Sequence, residues 1–169
     1  MKFNCLWRVL LAIFPLDIVS ADDPLAGVTQ GYFDGKRPFD AVELVGERGH
    51  ILIPESGKIE SQWVFKAGVL TASPKWDSLV TPDHYQDFRM HVEFNVNSVV
   101  DVDPEKNGNS GIYIQKRYEL QILNSHGVSE GDYKASYAGS LYRQKKPDKL
   151  VSRPAGEWQS YDIVFRAAR

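Results

Sequence analysis

Two stretches of this sequence alternate apolar residues with polar residues whose chemistry suits sugar hydroxyl groups. The polar positions include Arg89 and His91 in the first stretch, and Tyr113 and Glu119 in the second. Carboxylate, amide and phenol groups together accept and donate hydrogen bonds to neighbouring hydroxyls. Positions two apart on a strand are ~6.6–6.8 Å apart, comparable to the groups around a pyranose ring. If both apolar rows face one core, the other face carries Arg89, His91, Glu93, Asn95, Asn109, Tyr113, Gln115, Glu119 and Gln121.

Glu119 is the first candidate for proton transfer on this face, and His91 is the second. A carboxyl group flanked by Tyr113 and Gln121 could be partly removed from water, which suits acid–base chemistry. Imidazole exchanges a proton near neutral pH, so His91 could serve as base or acid. The alternative is a solvated outer face on which His91 is an ordinary exposed histidine. His91 and Glu93 together lack a third ligand, so no metal site is predicted, although a divalent metal stays open.

The elements that must position these residues are β-strands, because the alternation has a period of two. Residues 111–115 and 118–123 predict a hairpin with a tight turn at Lys116 and Arg117. Residues 87–97 give the strongest strand pattern, and residues 41–45 fit a short strand or a helix. Many short strands separated by turn residues predict one antiparallel β-sandwich. The remaining strands are expected at 63–65, 69–72, 78–81, 140–142 and 158–167.

The beginning of the chain has the layout of an export signal. Lys2 and Arg8 accompany an apolar run at 9–14, and small residues at 19–21 precede Asp22. This pattern predicts a cleavable signal peptide over residues 1–21 and a secreted or periplasmic protein, with a buried N-terminal helix as the alternative. Residues 22–30 are then a tether, and residues 31–169 form one domain.

Composition excludes several functions. The single cysteine, Cys5, lies within the predicted signal, which argues against disulfides, thiol catalysis and cysteine-ligated metals. A net charge of −2 gives no reason to expect nucleic-acid binding, and no membrane association is expected after signal cleavage. No phosphate-binding glycine loop occurs, and Ser110 lacks the surroundings of a nucleophile elbow. The oligomeric state cannot be predicted from the sequence.

An ordered set of short motifs resembles the DUF1080 family, whose members are described as 3-keto-disaccharide hydrolases. The resemblance covers about residues 31–169, and its pieces are specific only as a set. It departs from the family between Lys36 and Gln62, where the chain is longer, and at Asn124, where an Asp is common. The motifs are FDGK at 33–36, AGVL at 67–70 after Trp63, YQDF at 85–88, NSGI at 109–112, YELQI at 118–122, GSLY at 139–142 and GEW at 156–158.

The resemblance implies a concanavalin-like jelly-roll sandwich with a concave sugar-binding sheet, and further strands after Arg169. It also implies cleavage of 3-keto-glycosides through removal of the C2 proton and loss of the C1 substituent. In that reaction Glu119 and His91 are expected to transfer protons, while Arg89, Asn109, Tyr113 and Gln121 bind the carbohydrate substrate.

Three other functions fit the same sequence. A lectin-like module without catalysis is the main alternative, because one fold and one polar face serve both functions. A glycoside hydrolase with paired carboxylates would use Glu119 and Glu93. A structural domain without ligand is the third alternative.

Overall fold

The longest strand, Phe88–Val96, has the strongest alternation in the sequence and lies inside the main sheet. The computed structural model describes residues 41–57, 63–72, 77–96 and 104–168, and the backbone of residues 5–12. These residues contain strands, one short 3-10 helix at Pro104–Lys106 and no α-helix. The strands are β1 Cys5–Ala12, β2 Val42–Glu43, β3 Val45–Gly46, β4 Gly49–His50, β5 Ile53–Pro54, β6 Val64–Lys66, β7 Val69–Ala72, β8 Leu79–Val80, β9 Phe88–Val96, β10 Ser110–Ile114, β11 Tyr118–Ile122 and β12 Trp158–Phe165.

The main sheet is antiparallel and has the order β12-β9-β1-β7-β6, with β2 also paired to β1. The predicted hairpin at 63–72 is confirmed as β6 and β7, and the predicted last strand as β12. The ambiguous residues 41–45 form β2 and the start of β3. Two small antiparallel pairs, β3 with β4 and β5 with β8, accompany the main sheet.

The second layer is built on the β10–β11 hairpin. The turn is centred on Gln115 and Lys116, one residue before the predicted Lys116 and Arg117. Their φ angles of 51° and 54° are positive, as a type I′ turn requires at its two central positions. Beyond β11 the backbone continues the pairing, because the Tyr142 N–H donates to the Glu119 carbonyl at 2.9 Å. The predicted strand at 140–142 is reduced to isolated bridges, of which one joins Leu120 and Leu141.

The core lies between these two layers. Phe94 and Val92 from β9 are fully buried in the same apolar cluster as Ile122 of β11. The Tyr161 hydroxyl on β12 crosses this core and donates to the Gln121 carbonyl at 2.9 Å. The structure is therefore an all-β sandwich, as predicted.

The segment after β11 has a small core of its own, in which Leu123 packs with Tyr133 and Tyr137. The Tyr133 hydroxyl donates to the Ala138 carbonyl at 2.8 Å and lies 2.7 Å from the Ser125 hydroxyl. These contacts hold together the segment 124–138, which contains no strand or helix.

The N-terminal prediction falls mostly outside the described residues, as does the whole tether at 22–30. Within them, Cys5–Ala12 forms a strand between β7 and β9. Signal cleavage and export stay predictions. In the described part of the chain, no helix is long and apolar enough to cross a membrane.

Candidate active site

The two polar rows do not share one face, and the prediction of a single composite site is wrong on this point. Ile112 and Ile122 on the hairpin pack against the core that also contains Met90 and Val92. Both apolar rows thus face the same core from opposite sides. Side chains alternate along each strand, so the two polar rows point to opposite outer surfaces of the sandwich. We call them the hairpin face (Gly111, Tyr113, Glu119, Gln121) and the sheet face (Arg89, His91, Glu93, Asn95).

Tyr113 and Glu119 form the centre of the hairpin face. They are direct cross-strand partners, and the Glu119 carboxylate is close enough to the Tyr113 hydroxyl to contribute to the rise in its pKa. The Tyr113 side chain is 62% exposed, so its hydroxyl is open to a ligand. Partial removal from water, followed by the hydrogen bond and negative charge of Glu119, raises the pKa of Tyr113 to about 12. The phenol therefore keeps its proton at neutral pH and acts as a hydrogen-bond donor.

Gly111 gives Glu119 the space that it occupies. A Cβ atom at position 111 would overlap the Glu119 carboxyl group, which lies across the glycine. In a strand, a glycine of this kind permits a close approach that any larger residue would block. The glycine of the NSGI motif thus leaves room for the carboxyl group of Glu119, the candidate base.

The hairpin face is extended by the residues that follow β11. Tyr142 is near enough to Tyr113 to contribute to the rise in its pKa. The Arg143 guanidinium lies 5.1 Å from the centre of the Tyr142 ring. Arg143 has a φ of 57°, and its N–H donates to the Ala135 carbonyl at 2.9 Å. Two phenols, a carboxylate and a guanidinium therefore lie in one region.

Gln121 and Asn109 lie on the same side but differ in accessibility. Gln121 is only 2% exposed, and its Oε1 accepts the Ile122 N–H at 3.0 Å. This burial makes Gln121 a support for β11, in contrast to the direct sugar contact that we predicted. Asn109 is exposed and donates from Nδ2 to the Glu105 carbonyl at 3.0 Å, so it can still meet a ligand.

On the sheet face, His91 is paired with a residue of β12. Its Nδ1 lies 2.7 Å from Oδ1 of Asp162, its cross-strand partner. Arg89 lies on the same face and is 8% exposed; burial, followed by the charge of Arg166, lowers its pKa. The predicted cooperation of His91 and Arg89 with Glu119 is therefore wrong, because the core separates them.

The same separation excludes the alternative of paired carboxylates. Glu93 belongs to the sheet face and Glu119 to the hairpin face, so the two cannot flank one glycosidic bond.

No cofactor site is indicated by the hairpin face. Within residues 41–57, 63–72, 77–96 and 104–168, no three His, Cys, Asp or Glu side chains converge as metal ligands.

Sequence reasoning missed Tyr142 and Arg143 as site residues, and Asp162 as the partner of His91. The motif GSLY was available as a signal for Tyr142. The pairing of His91 with Asp162 depends on the β9–β12 register, which no sequence motif specified.

The fold defines the class of this protein as a two-layer, all-β sandwich, with a carboxylate and phenols on one outer face. Residues 46–169 match the family described as the 3-keto-alpha-glucoside-1,2-lyase-like domain. The chain therefore belongs to that family, as the motifs predicted. Among curated proteins, no match is found.

One solved structure supports this assignment. It comes from Parabacteroides distasonis and is described as a "putative glycosyl hydrolase". The two chains are 31% identical and superpose with a TM-score of 0.69. The match covers 77% of the present chain and 54% of the other, so this chain spans about half the length of that protein.

Proposed function

We propose that the hairpin face cleaves 3-keto-glycosides by elimination, with Glu119 as the base. The observation that carries this proposal is the cross-strand pair of Glu119 and the exposed, protonated Tyr113, seated over Gly111. The description of the matched family as lyase-like supports the reaction type, and the glycosyl hydrolase neighbour supports the substrate class.

The chemistry needs a base for the C2 proton, a proton donor for the glycosidic oxygen and a hydrogen-bond donor for the C3 oxygen. A keto group at C3 acidifies the proton on C2, which Glu119 removes. The electron pair forms the C1–C2 double bond while the bond from C1 to the glycosidic oxygen breaks. That oxygen takes the proton from the Glu119 carboxyl group and leaves as an alcohol, which restores the Glu119 carboxylate. The product is an unsaturated ketone, and addition of water at C1 completes the overall hydrolysis.

Tyr113 is suited to the charge that develops during proton removal. Negative charge accumulates on the C3 oxygen, and a fixed donor at that place lowers the barrier. With a pKa raised to about 12, the Tyr113 phenol keeps its proton at neutral pH. It can donate a hydrogen bond to the oxyanion as that charge develops.

Other residues of the face have supporting roles. Arg143, over the Tyr142 ring, brings a positive charge that favours the anionic transition state. The buried Gln121 supports β11 through its hydrogen bond with the Ile122 N–H. Asn109, just before β10, offers a contact for sugar hydroxyl groups.

A lectin-like binding module is the second candidate function. It is favoured by the exposed Tyr113 ring, since aromatic faces also serve sugar binding without catalysis.

The deciding experiment incubates the protein with a disaccharide and with its 3-keto form and follows the released sugar. We expect cleavage of the keto form alone, with a loss of about 10²–10⁴-fold in kcat for Glu119→Gln. The amide keeps the shape of the side chain but cannot take up the C2 proton.

Two outcomes would contradict the proposal. Cleavage that survives in Glu119→Gln would move the base elsewhere. Binding of both sugars without cleavage of either would favour the lectin-like module.

A further inference from the structure

A cleft lies along the outer edge of β12, and neither Tyr113 nor Glu119 lines it. It has a volume of about 360 Å³ and is lined by β12, by the loop that precedes it, by Glu93 of β9, and by Tyr133, Ala138 and Gly139 of the segment after β11. This size falls within the range of about 300–1,000 Å³ that is usual for small-ligand sites. We propose that this cleft, the β12 cleft, binds a sugar ring that carries a carboxylate group, as in a uronic acid.

The walls of the β12 cleft are held by hydrogen bonds that do not involve the proposed ligand. The Arg153 N–H donates to Gln159 Oε1 at 3.2 Å, which joins the loop to β12. The Ser152 carbonyl lies 2.8 Å from His126 Nδ1, which fixes the same loop to the segment after β11. A site whose walls are held in advance loses less entropy when a ligand binds.

The loop side of the β12 cleft carries two positive charges. Lys149 and Arg153 both line it and are both exposed. In the described part of the chain, neither side chain has a carboxylate partner. Lys145, by contrast, is paired with Asp148 at 3.1 Å, although it lies only four residues from Lys149. The two cations are thus available to an acidic group, and an Arg fork suits a carboxylate.

The β12 side of the cleft offers the other features of a sugar subsite. Trp158 is 40% exposed and presents an aromatic surface on which a sugar ring can stack. Ser160 and Glu93 are cross-strand partners on the same face and can contact hydroxyl groups. Because the Glu93 carboxylate repels an anion, the acidic group of the ligand points to Lys149 and Arg153.

The test is a calorimetric titration of the protein with tetragalacturonate and with its methyl ester, which has the same rings without charge. We expect tetragalacturonate to bind about tenfold more tightly, which is the combined effect of two exposed ion pairs. The double variant Lys149→Gln with Arg153→Gln should remove this difference. Trp158→Ala should weaken the binding of both ligands, with folding checked by circular dichroism.

The matched control is Lys146→Gln. Lys146 belongs to the same loop, but its Nζ donates to the Glu130 carbonyl at 3.4 Å and does not line the cleft. Its affinity for tetragalacturonate should equal that of the unmodified protein.

Several results would overturn the proposal. These are absence of binding, an acid preference that survives the double variant, or inorganic phosphate competing as strongly as tetragalacturonate, which would indicate a general anion patch. Loss of binding in Glu119→Gln would place the ligand on the hairpin face. Failure of the elimination reaction, by contrast, leaves this test unaffected.

Discussion

The hairpin face and the sheet face look alike in sequence but differ in structure. Both alternate polar with apolar residues, and both carry a carboxylate beside a titratable ring, Glu119 with Tyr113 and Glu93 near His91. On the hairpin face, the exposed Tyr113 is the cross-strand partner of Glu119, whose charge contributes to the rise in its pKa. On the sheet face, His91 is 23% exposed and bonded to Asp162. Alternation therefore predicts which side chains point away from the core. It does not predict which of the two outer surfaces of the sandwich each side chain lies on.

After Glu119→Gln, the largest effect that separates the two faces is expected from Gly111→Ala. The added methyl group meets the Glu119 carboxyl group and must displace it. A catalytic group moved by about 1 Å can cost about 10²-fold, so we expect that loss in kcat/KM for the 3-keto disaccharide. Gly131→Ala is the control, because its Cβ would meet only Ser129 Oγ at 4.0 Å. Equal activities of the two variants would show that the position of the Glu119 carboxyl group over Gly111 does not affect catalysis.

A smaller effect, about tenfold in kcat, is expected from Tyr113→Phe, because the donor to the developing oxyanion is lost. The same hydroxyl can be followed by NMR of labelled tyrosine. Its pKa of about 12 should fall towards 10 in Glu119→Gln, which removes the charge of the neighbouring carboxylate. An unchanged pKa would mean that Glu119 does not act on this phenol.

The raised pKa of Tyr113 also determines how the stability of the fold changes with pH. The folded protein holds the Tyr113 proton more tightly than the unfolded chain does. This contribution to stability is therefore complete below about pH 10 and is lost as the pH rises through about 12.

Next in size is the link between the two layers. Tyr161→Phe removes the hydroxyl that donates to the Gln121 carbonyl. That carbonyl also accepts the Gly139 N–H at 3.0 Å, so it keeps one partner. We expect a loss of about 0.5–1.5 kcal/mol in the free energy of unfolding, measured by urea denaturation. Tyr113→Phe, at an exposed hydroxyl, should cost less, and the reverse order would contradict this account of the core.

The smallest effect is expected on the sheet face. His91→Asn should change kcat/KM by less than about twofold, because the core lies between this residue and the hairpin face. Loss of the pair with Asp162 should cost only about 0.2–1 kcal/mol of stability, since Asp162 is 66% exposed. A double-mutant cycle with Asp162→Asn isolates the pair. A large loss of activity in His91→Asn would reverse the assignment of the two faces.

The sequence was sufficient to predict β9, β6–β7 and β10–β11, which lie where alternation and turn residues placed them, but it did not predict β1. It was also sufficient to place Tyr113 and Glu119 together, because a short hairpin fixes its own register. It was not sufficient to place His91 and Arg89 relative to the hairpin, because their position depends on how two layers that are distant in sequence pack together. The burial of Gln121 has the same origin, since the segment that pairs with β11 at Ser140 comes from beyond the hairpin.

The position of β1 has a consequence for export. Cys5–Ala12 pairs with β9 along eight residues and with β7 along three, so it closes the middle of the main sheet. The same residues belong to the segment whose composition predicts a removable signal. Cleavage after residue 21 would leave β9 and β7 with open edges, each with a row of unpaired N–H and C=O groups. A mature chain with this sheet would have to fill the gap with another strand, from elsewhere in the chain or from a second molecule.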